Sequence, residues 1–124
     1  RDRLRSRGLG DVYKRQVVMN AEMYRACAIS VTDIESDDIR VVCAQAADEL
    51  LSVSGVDASF VIFKTDDIIN ISARSMGKVN VQLIMEALGG GGHQTMAAVQ
   101  LKDITESQIK DMLKTAIDNY YSNL

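Results

Sequence analysis

The chain has 124 residues, 47% of them hydrophobic and 25% charged, which is the composition of a globular protein with one modest core. We expect neither a membrane span, because no apolar run approaches roughly 20 residues, nor a signal peptide. Two cysteines are too few for a disulfide framework, so we expect Cys27 and Cys43 to be buried, reduced thiols.

The net charge of −3 is unevenly distributed along the chain. Residues 1–16 carry six basic groups against two carboxylates, so this segment is +4 and the rest of the chain is −7. The segment shows no helical or strand periodicity and resembles translated sequencing-adapter sequence, so we expect a non-native or disordered basic arm. A native tail that binds nucleic acid is the alternative. The folded domain is therefore assigned to residues 17–124.

The first half of this domain predicts a strand, a helix and a hairpin. Residues 24–31 are dense in small and β-branched apolar side chains, which is typical of a buried strand. A helix is expected from near Ser36, whose hydroxyl can cap free N–H groups, to a stop at Gly55. Apolar runs at 58–63 and 68–71 are joined by four polar residues, which indicates an antiparallel hairpin.

The second half predicts a helix, a strand and a further helix. The first helix begins near Asn80, has apolar residues at helical spacing and ends at Gly89. Residues 97–101 fit a strand, and Thr105 with Gln108 forms a capping box that opens an amphipathic C-terminal helix. The order β-α-β-β-α-β-α predicts a small α/β domain with helices packed on a mixed β-sheet.

Four consecutive glycines, followed by the one histidine of the chain, interrupt this alternation of core and surface residues. The run consists of Gly89, Gly90, Gly91 and Gly92. Such a run is entropically costly to order, and helix capping explains only its first member. Bare N–H groups in a turn can form a nest for an anion such as phosphate, to which His93 could also donate. A flexible turn with an incidental histidine is the alternative.

A second group of polar residues ends the predicted hairpin. In a strand of period two, Ser72 and Arg74 share one face of the sheet. Arg74 offers a rigid fork of donors to phosphate oxygens, and Ser72 or Ser75 can add a hydroxyl. A polar face turned to solvent is the alternative.

Several kinds of catalysis lack the residue patterns that they need. One histidine and two distant cysteines cannot complete a zinc site, and the carboxylates lack the clustering of a two-metal site. Neither a P-loop nor a G-x-S-x-G nucleophile motif occurs. We therefore predict no catalytic residue and no metal ligand within this chain.

Three segments together resemble the DHH-associated domain of the first type, which follows the catalytic DHH domain in a superfamily of phosphoesterases. The segments are ISARS at 71–75, VNVQLIME at 79–86 and GGGGHQTMAA at 89–98. The last most resembles GdpP-type cyclic-di-AMP phosphodiesterases, and the resemblance spans about residues 17–124. It implies that Arg74, His93 and the glycine loop help to hold nucleotide phosphates. It also implies that a manganese-dependent DHH domain, not contained in this chain, performs the hydrolysis.

The same resemblance implies a substrate and partners. It implies a bacterial phosphodiesterase that opens cyclic-di-AMP to linear pApA, with this chain as an inactive substrate-binding fragment. Expected partners are a cyclic dinucleotide or short oligonucleotide, the preceding DHH domain and a second copy of the chain. The parent protein is expected on the cytoplasmic side, anchored in the bacterial membrane.

Two other functions remain open. One is a DHH-family oligoribonuclease or 3′-phosphoadenosine-5′-phosphate (pAp) phosphatase, whose phosphate contacts would be the same. The other is a nucleic-acid-binding module, as in the related appendage of alanyl-tRNA synthetases. The charge of −7 after residue 16 and the lack of an aromatic stacking platform disfavour the module.

Overall fold

The computed structural model describes residues 2–124, with side chains from Gly10 onward. Its elements form one mixed sheet with packed helices, which confirms the predicted fold class. In chain order they are α1 (Asp2–Met19), β1 (Glu22–Tyr24), β2 (Cys27–Val31), α2 (Ile39–Leu50), β3 (Ala58–Thr65), β4 (Ile68–Ser75), α3 (Val81–Ala87), β5 (Gly91–His93), β6 (Met96–Lys102) and α4 (Glu106–Ser122). The predicted order lacked α1, β1 and β5.

The strands lie in the order β1-β2-β3-β4-β6-β5. β2 and β3 run parallel, with α2 as the crossover between them. The other neighbouring strands are antiparallel. This arrangement places β4, which follows the parallel pair, next to the β5–β6 hairpin.

The two faces of the sheet are covered unequally. Helices α3 and α4 pack on one face and form the larger core with side chains such as Phe60, Ile71 and Leu113. On the opposite face, α1 and α2 form a smaller core that reaches Ala28, Val61 and Phe63 of β2 and β3. No helix among the described residues is both long and apolar enough to cross a membrane.

Three predicted boundaries differ from the structure, and one of them is the end of α2, which lies at Leu50 and not at Gly55. The strand expected at 24–31 is divided between β1 and β2, because Arg25 turns the chain with φ of 56°. Only a few per cent of residues other than glycine adopt positive φ, so no turn signal marked this position. Helix α2 begins at Ile39 rather than near Ser36. Ser36 forms a turn instead, in which its Oγ accepts from the Asp38 N–H at 3.3 Å.

The predicted hairpin and C-terminal helix are present. β3 and β4 pair in register as far as Thr65 and Ile68, so their loop contains only Asp66 and Asp67. At the start of α4, Thr105 Oγ1 accepts from the Gln108 N–H at 3.1 Å, and Gln108 Oε1 accepts from the Thr105 N–H at 2.9 Å. The capping box is thus confirmed.

Helix α1 occupies most of the segment expected to be a disordered arm; Arg1 lies outside the described residues. The last turn of α1 packs against β2, where fully buried Val17 accepts a hydrogen bond from Ser30 Oγ at 2.6 Å. Arg, Leu, Lys and Gln have high helix propensity, so a helix forms without an amphipathic pattern. That residues 1–16 are non-native stays a prediction.

Candidate functional site

One face of the sheet is left uncovered over β5 and β6, beside α2. We call this surface the open face. Its floor is formed by Ser72, Arg74, Gly91, His93, Met96, Ala98 and Gln100. Paired residues of neighbouring antiparallel strands project to the same side of a sheet, so the pairing of β4, β6 and β5 places these residues on one surface. Helix α2 forms one wall of the open face, and the short edge strand β5 forms its outer border.

The pairing brings the two principal predicted residues into one line across the sheet. Arg74 pairs with Met96, and Met96 pairs with His93. Cα atoms of directly paired residues lie about 5 Å apart, so those of Arg74 and His93 are separated by roughly 10 Å. The exposed Met96 lies between them. Arg74, near the end of β4, and His93 of β5 therefore lie on the same surface of the sheet.

Arg74 is held against α2. Only 12% of its side chain is exposed, and its Nε lies 3.3 Å from Oδ1 of the more exposed Asp48. Its Nη1 donates to the Ala73 carbonyl at 2.9 Å. The contact with Asp48 lacks the geometry of a hydrogen bond, so the buried Nε–H has no acceptor. A buried donor without an acceptor is uncommon in native proteins and indicates a functional or strained position.

The two predicted serines lie on different faces of the sheet. Ser72 is on the open face, half-buried, two residues from Arg74 along β4. Ser75 is buried on the other side, where its Oγ donates to the Val79 carbonyl at 2.5 Å and accepts from the Gly77 N–H at 2.9 Å. Ser75 thus holds the turn between β4 and α3, and the structure does not bring it to the other site residues.

The first two glycines of the run terminate α3. Gly89 has φ of 93°, and its N–H donates to the Glu86 carbonyl at 3.0 Å. The Gly90 N–H donates to the Met85 carbonyl at 2.8 Å. These two bonds are the Schellman arrangement, which satisfies carbonyl groups at a helix end. The N–H groups of Gly89 and Gly90 are therefore engaged within the protein and not free to form an anion nest.

The remaining glycines belong to strand β5 and not to a flexible loop. A Cβ atom at Gly92 would lie 2.5 Å from both the Ala97 Cα and the Met96 carbonyl oxygen, and one at Gly90 would meet β6 in the same way. Both glycines allow close packing of the chain on β6. A Cβ atom at Gly91 would meet nothing within 4 Å, because this position faces the open surface beside Ser72 and Ala98.

The far end of the open face contains a further pair that sequence reasoning did not identify. With its amide oriented to accept, Gln100 Oε1 receives hydrogen bonds from Arg40 Nη1 at 3.2 Å and Nη2 at 3.3 Å. Arg40 and Asp48 are two turns apart on α2, so both line the same wall. Neither was predicted, because exposed charges on a helix give no sequence signal that separates a site from a solvated surface.

A larger cavity, of about 840 Å³, lies around the N-terminal end of α2. Five carboxylates and two cations line it: Asp33, Glu35, Asp37, Asp66 and Glu106 with Arg40 and Lys64. This excess of negative charge disfavours an anionic ligand. The open face, which carries both Arg74 and His93, is therefore the better candidate site for an anion.

The DHHA1 domain family matches residues 25–122, which include every strand of the open face. The chain belongs to the DHHA1 domain family. This match lies within the predicted range of 17–124.

Curated relatives of this DHHA1 domain are considerably longer proteins. The chain is 48% identical over 108 residues to the cyclic-di-AMP phosphodiesterase PdeA of Listeria monocytogenes, and the match covers 86% of the chain and 16% of the relative. It is 53% identical over 95 residues to the cyclic-di-AMP phosphodiesterase GdpP of Geobacillus thermodenitrificans, covering 76% of the chain and 14% of the relative. The chain therefore spans less than a fifth of the length of these relatives.

The fold of the DHHA1 domain recurs in solved structures. An exopolyphosphatase-related protein from Bacteroides fragilis superposes with a TM-score of 0.75 at 21% identity, covering 90% of the chain and 34% of that protein. At this identity the likeness establishes the shared fold alone.

The family resemblance places manganese in the DHH domain, and the described part of the DHHA1 domain has no group of residues that would hold it. Among its side chains, no three His, Cys, Asp or Glu residues cluster as metal ligands would. The two cysteines are buried and free, and burial raises the pKa of Cys27 to about 11 and that of Cys43 to about 12. Both thiols are thus protonated near neutral pH, the form that neither binds metal nor attacks a substrate.

Proposed function

We propose that this DHHA1 domain is the substrate-binding part of a cyclic-di-AMP phosphodiesterase, a metal-dependent hydrolase of the DHH superfamily. The open face holds phosphate groups of the cyclic dinucleotide through Arg74 and His93, with Ser72 adding a hydroxyl. Gly91 leaves room for the ligand because it places no side chain over the floor. The identity to cyclic-di-AMP phosphodiesterases from two bacteria supports this choice of substrate.

The observation that carries the proposal is the alignment of Arg74 and His93 on the same face of the sheet, with Arg74 against α2 at the border of the uncovered part. The buried Nε–H of Arg74 lacks an acceptor in the free protein, which marks the position as unusual. Because Nε is inaccessible, a phosphate oxygen would reach the guanidinium through its Nη groups, and charge-assisted hydrogen bonds of this kind are the strong ones. Phosphate contact then relies on side chains more than on a nest of glycine N–H groups.

Catalysis is assigned to the preceding DHH domain of a longer protein. In this proposal, manganese in that domain supplies the hydrolytic chemistry that opens cyclic-di-AMP to pApA. The family resemblance is the support for manganese, for anchoring of the parent protein in the cytoplasmic membrane and for a second copy as a partner. A DHH-family oligoribonuclease or pAp phosphatase would use the same phosphate contacts, so base and ribose contacts must distinguish these substrates.

Binding of cyclic-di-AMP to the isolated chain tests the proposal directly. In an NMR titration, amide shifts should change along β4, β5 and β6. Arg74→Gln, which keeps most of the side-chain volume, should weaken binding about tenfold to a few hundred-fold, since a charge-assisted hydrogen bond contributes about 1.5–3 kcal/mol. Arg15→Gln removes the same charge from an exposed position on α1 and serves as the control. Shifts confined to the surface of α3 and α4, or unchanged binding by Arg74→Gln, would refute the proposal.

A further inference from the structure

Asp48 is an exposed carboxylate on α2, beside Arg74 of the proposed phosphate site. Its side chain is 64% exposed, and its Oδ1 lies 3.3 Å from Arg74 Nε without the alignment of a hydrogen bond. Among the described side chains, Arg74 is the one cation in ion-pair contact with Asp48. A phosphate that reaches the guanidinium therefore approaches a carboxylate at close range.

A carboxylate in this position acts on a phosphate in proportion to the charge of the phosphate. A phosphodiester carries one negative charge, whereas a phosphomonoester above pH 7 carries nearly two, since its second pKa is about 6. Like-charge repulsion from Asp48 is thus about twice as large for the monoester, while attraction to Arg74 is partly cancelled by the same carboxylate. Asp48 therefore lowers the affinity of the site for a dianionic phosphate more than for a monoanionic one.

On the basis of the phosphate site proposed above, we propose that Asp48 shifts the selectivity of the Arg74 site away from phosphomonoesters and towards phosphodiesters. Both phosphates of a cyclic dinucleotide are diesters, and its linear hydrolysis product has a terminal monoester. The site would accordingly hold the cyclic substrate and release the terminal phosphate of the product. Asp48 is then a specificity-determining residue for this reaction, acting through charge and not through a hydrogen bond of its own.

The test compares two ligands that differ by one charge, 5′-AMP and its 5′-methyl ester, at pH 8. Each unit of phosphate charge near an exposed carboxylate should change the dissociation constant about threefold after salt screening. Asp48→Asn should therefore tighten the methyl ester about threefold and 5′-AMP about tenfold. The ratio of the two affinities should move about threefold toward the monoester.

Glu49→Gln is the matched control, because it removes the neighbouring carboxylate of the same helix. Glu49 pairs with Lys14 of α1 at 3.6 Å, whereas the ion pair of Arg74 is with Asp48. It should change neither affinity. The inference is overturned if Asp48→Asn alters both ligands equally, weakens both, or alters neither while Arg74→Gln still weakens them. If Arg74→Gln leaves both affinities unchanged, the phosphate site itself has failed.

Discussion

The four glycines at 89–92 differ in role: some are required for packing, and one leaves space on the proposed ligand site. Gly89 and Gly90 complete the end of α3, and Gly90 and Gly92 allow close contact with β6. These are requirements of packing and hold whether or not a ligand binds. Gly89 and Gly91 both have open space where a side chain would be, but Gly89 has φ of 93° and ends α3, whereas Gly91 lies on the surface shared by Arg74 and His93. Of the four glycines, it is therefore the one whose replacement should report on a ligand and not on the fold.

Alanine at neighbouring positions of β5 should separate these roles. Gly91→Ala should leave the melting temperature within about 2 °C, while reducing cyclic-di-AMP affinity several-fold by occupying the floor of the open face. Gly91→Val should reduce that affinity further. Gly92→Ala forces a Cβ against β6 at a φ of 145°. Overpacking costs about 1–3 kcal/mol, so its melting temperature should fall by roughly 4–12 °C.

Calorimetry and a binding titration on the same samples distinguish the two effects. Equal destabilisation by Gly91→Ala and Gly92→Ala would mean that Gly91 also serves packing. Full affinity in a folded Gly91→Val variant would remove this position from the ligand site.

At the scale of elements, the sequence predicted those with strong local signals. The β3–β4 hairpin and α4 follow from apolar periodicity and a capping box. β5 was predicted as a loop, because its glycines have no β propensity and its strand character comes from pairing with β6. Arg74 and His93 could be proposed from residue type, but their common surface depends on strand order, which no local signal encodes. For the same reason, Ser75 could not be separated from Ser72.

Helix α1 provides the clearest test at this scale, because its sequence indicated no packed face. Val17 is fully buried against β2 and α2, whereas Val12 is 48% exposed on the same helix. Val17→Ala should lower the free energy of unfolding by about 1.5–3 kcal/mol through lost burial and a cavity. Val12→Ala should change it by less than about 0.5 kcal/mol. Denaturant unfolding measures both, and equal small effects would mean that α1 does not pack on the domain in solution.

At the scale of the whole molecule, the open face has a floor and one wall but no opposite wall. The side chains described there supply donors to an anion and no cluster of metal ligands. The proposed function places binding here and hydrolysis in another domain, and the chain spans less than a fifth of the length of the relatives that it matches. A second domain that covers the open face would exclude water from the ligand and strengthen its contacts with Arg74.

If binding and hydrolysis lie in different domains, the isolated chain should have no hydrolytic activity and should contribute to catalysis only within a complete enzyme. With manganese present, the chain should hydrolyse neither cyclic-di-AMP nor pApA, because metal-assisted hydrolysis needs several fixed ligands to position and acidify water.

A chimera in which this chain replaces the matching segment of Listeria PdeA should hydrolyse cyclic-di-AMP. In the chimera, Arg74→Ala or His93→Ala should lower kcat/KM about tenfold to a few hundred-fold, the range expected for one charge-assisted hydrogen bond. Arg15→Gln should have no effect. Turnover by the isolated chain, free of contaminating nuclease, would contradict the assignment of catalysis to another domain, and full activity of both alanine variants would contradict the assignment of binding to the open face.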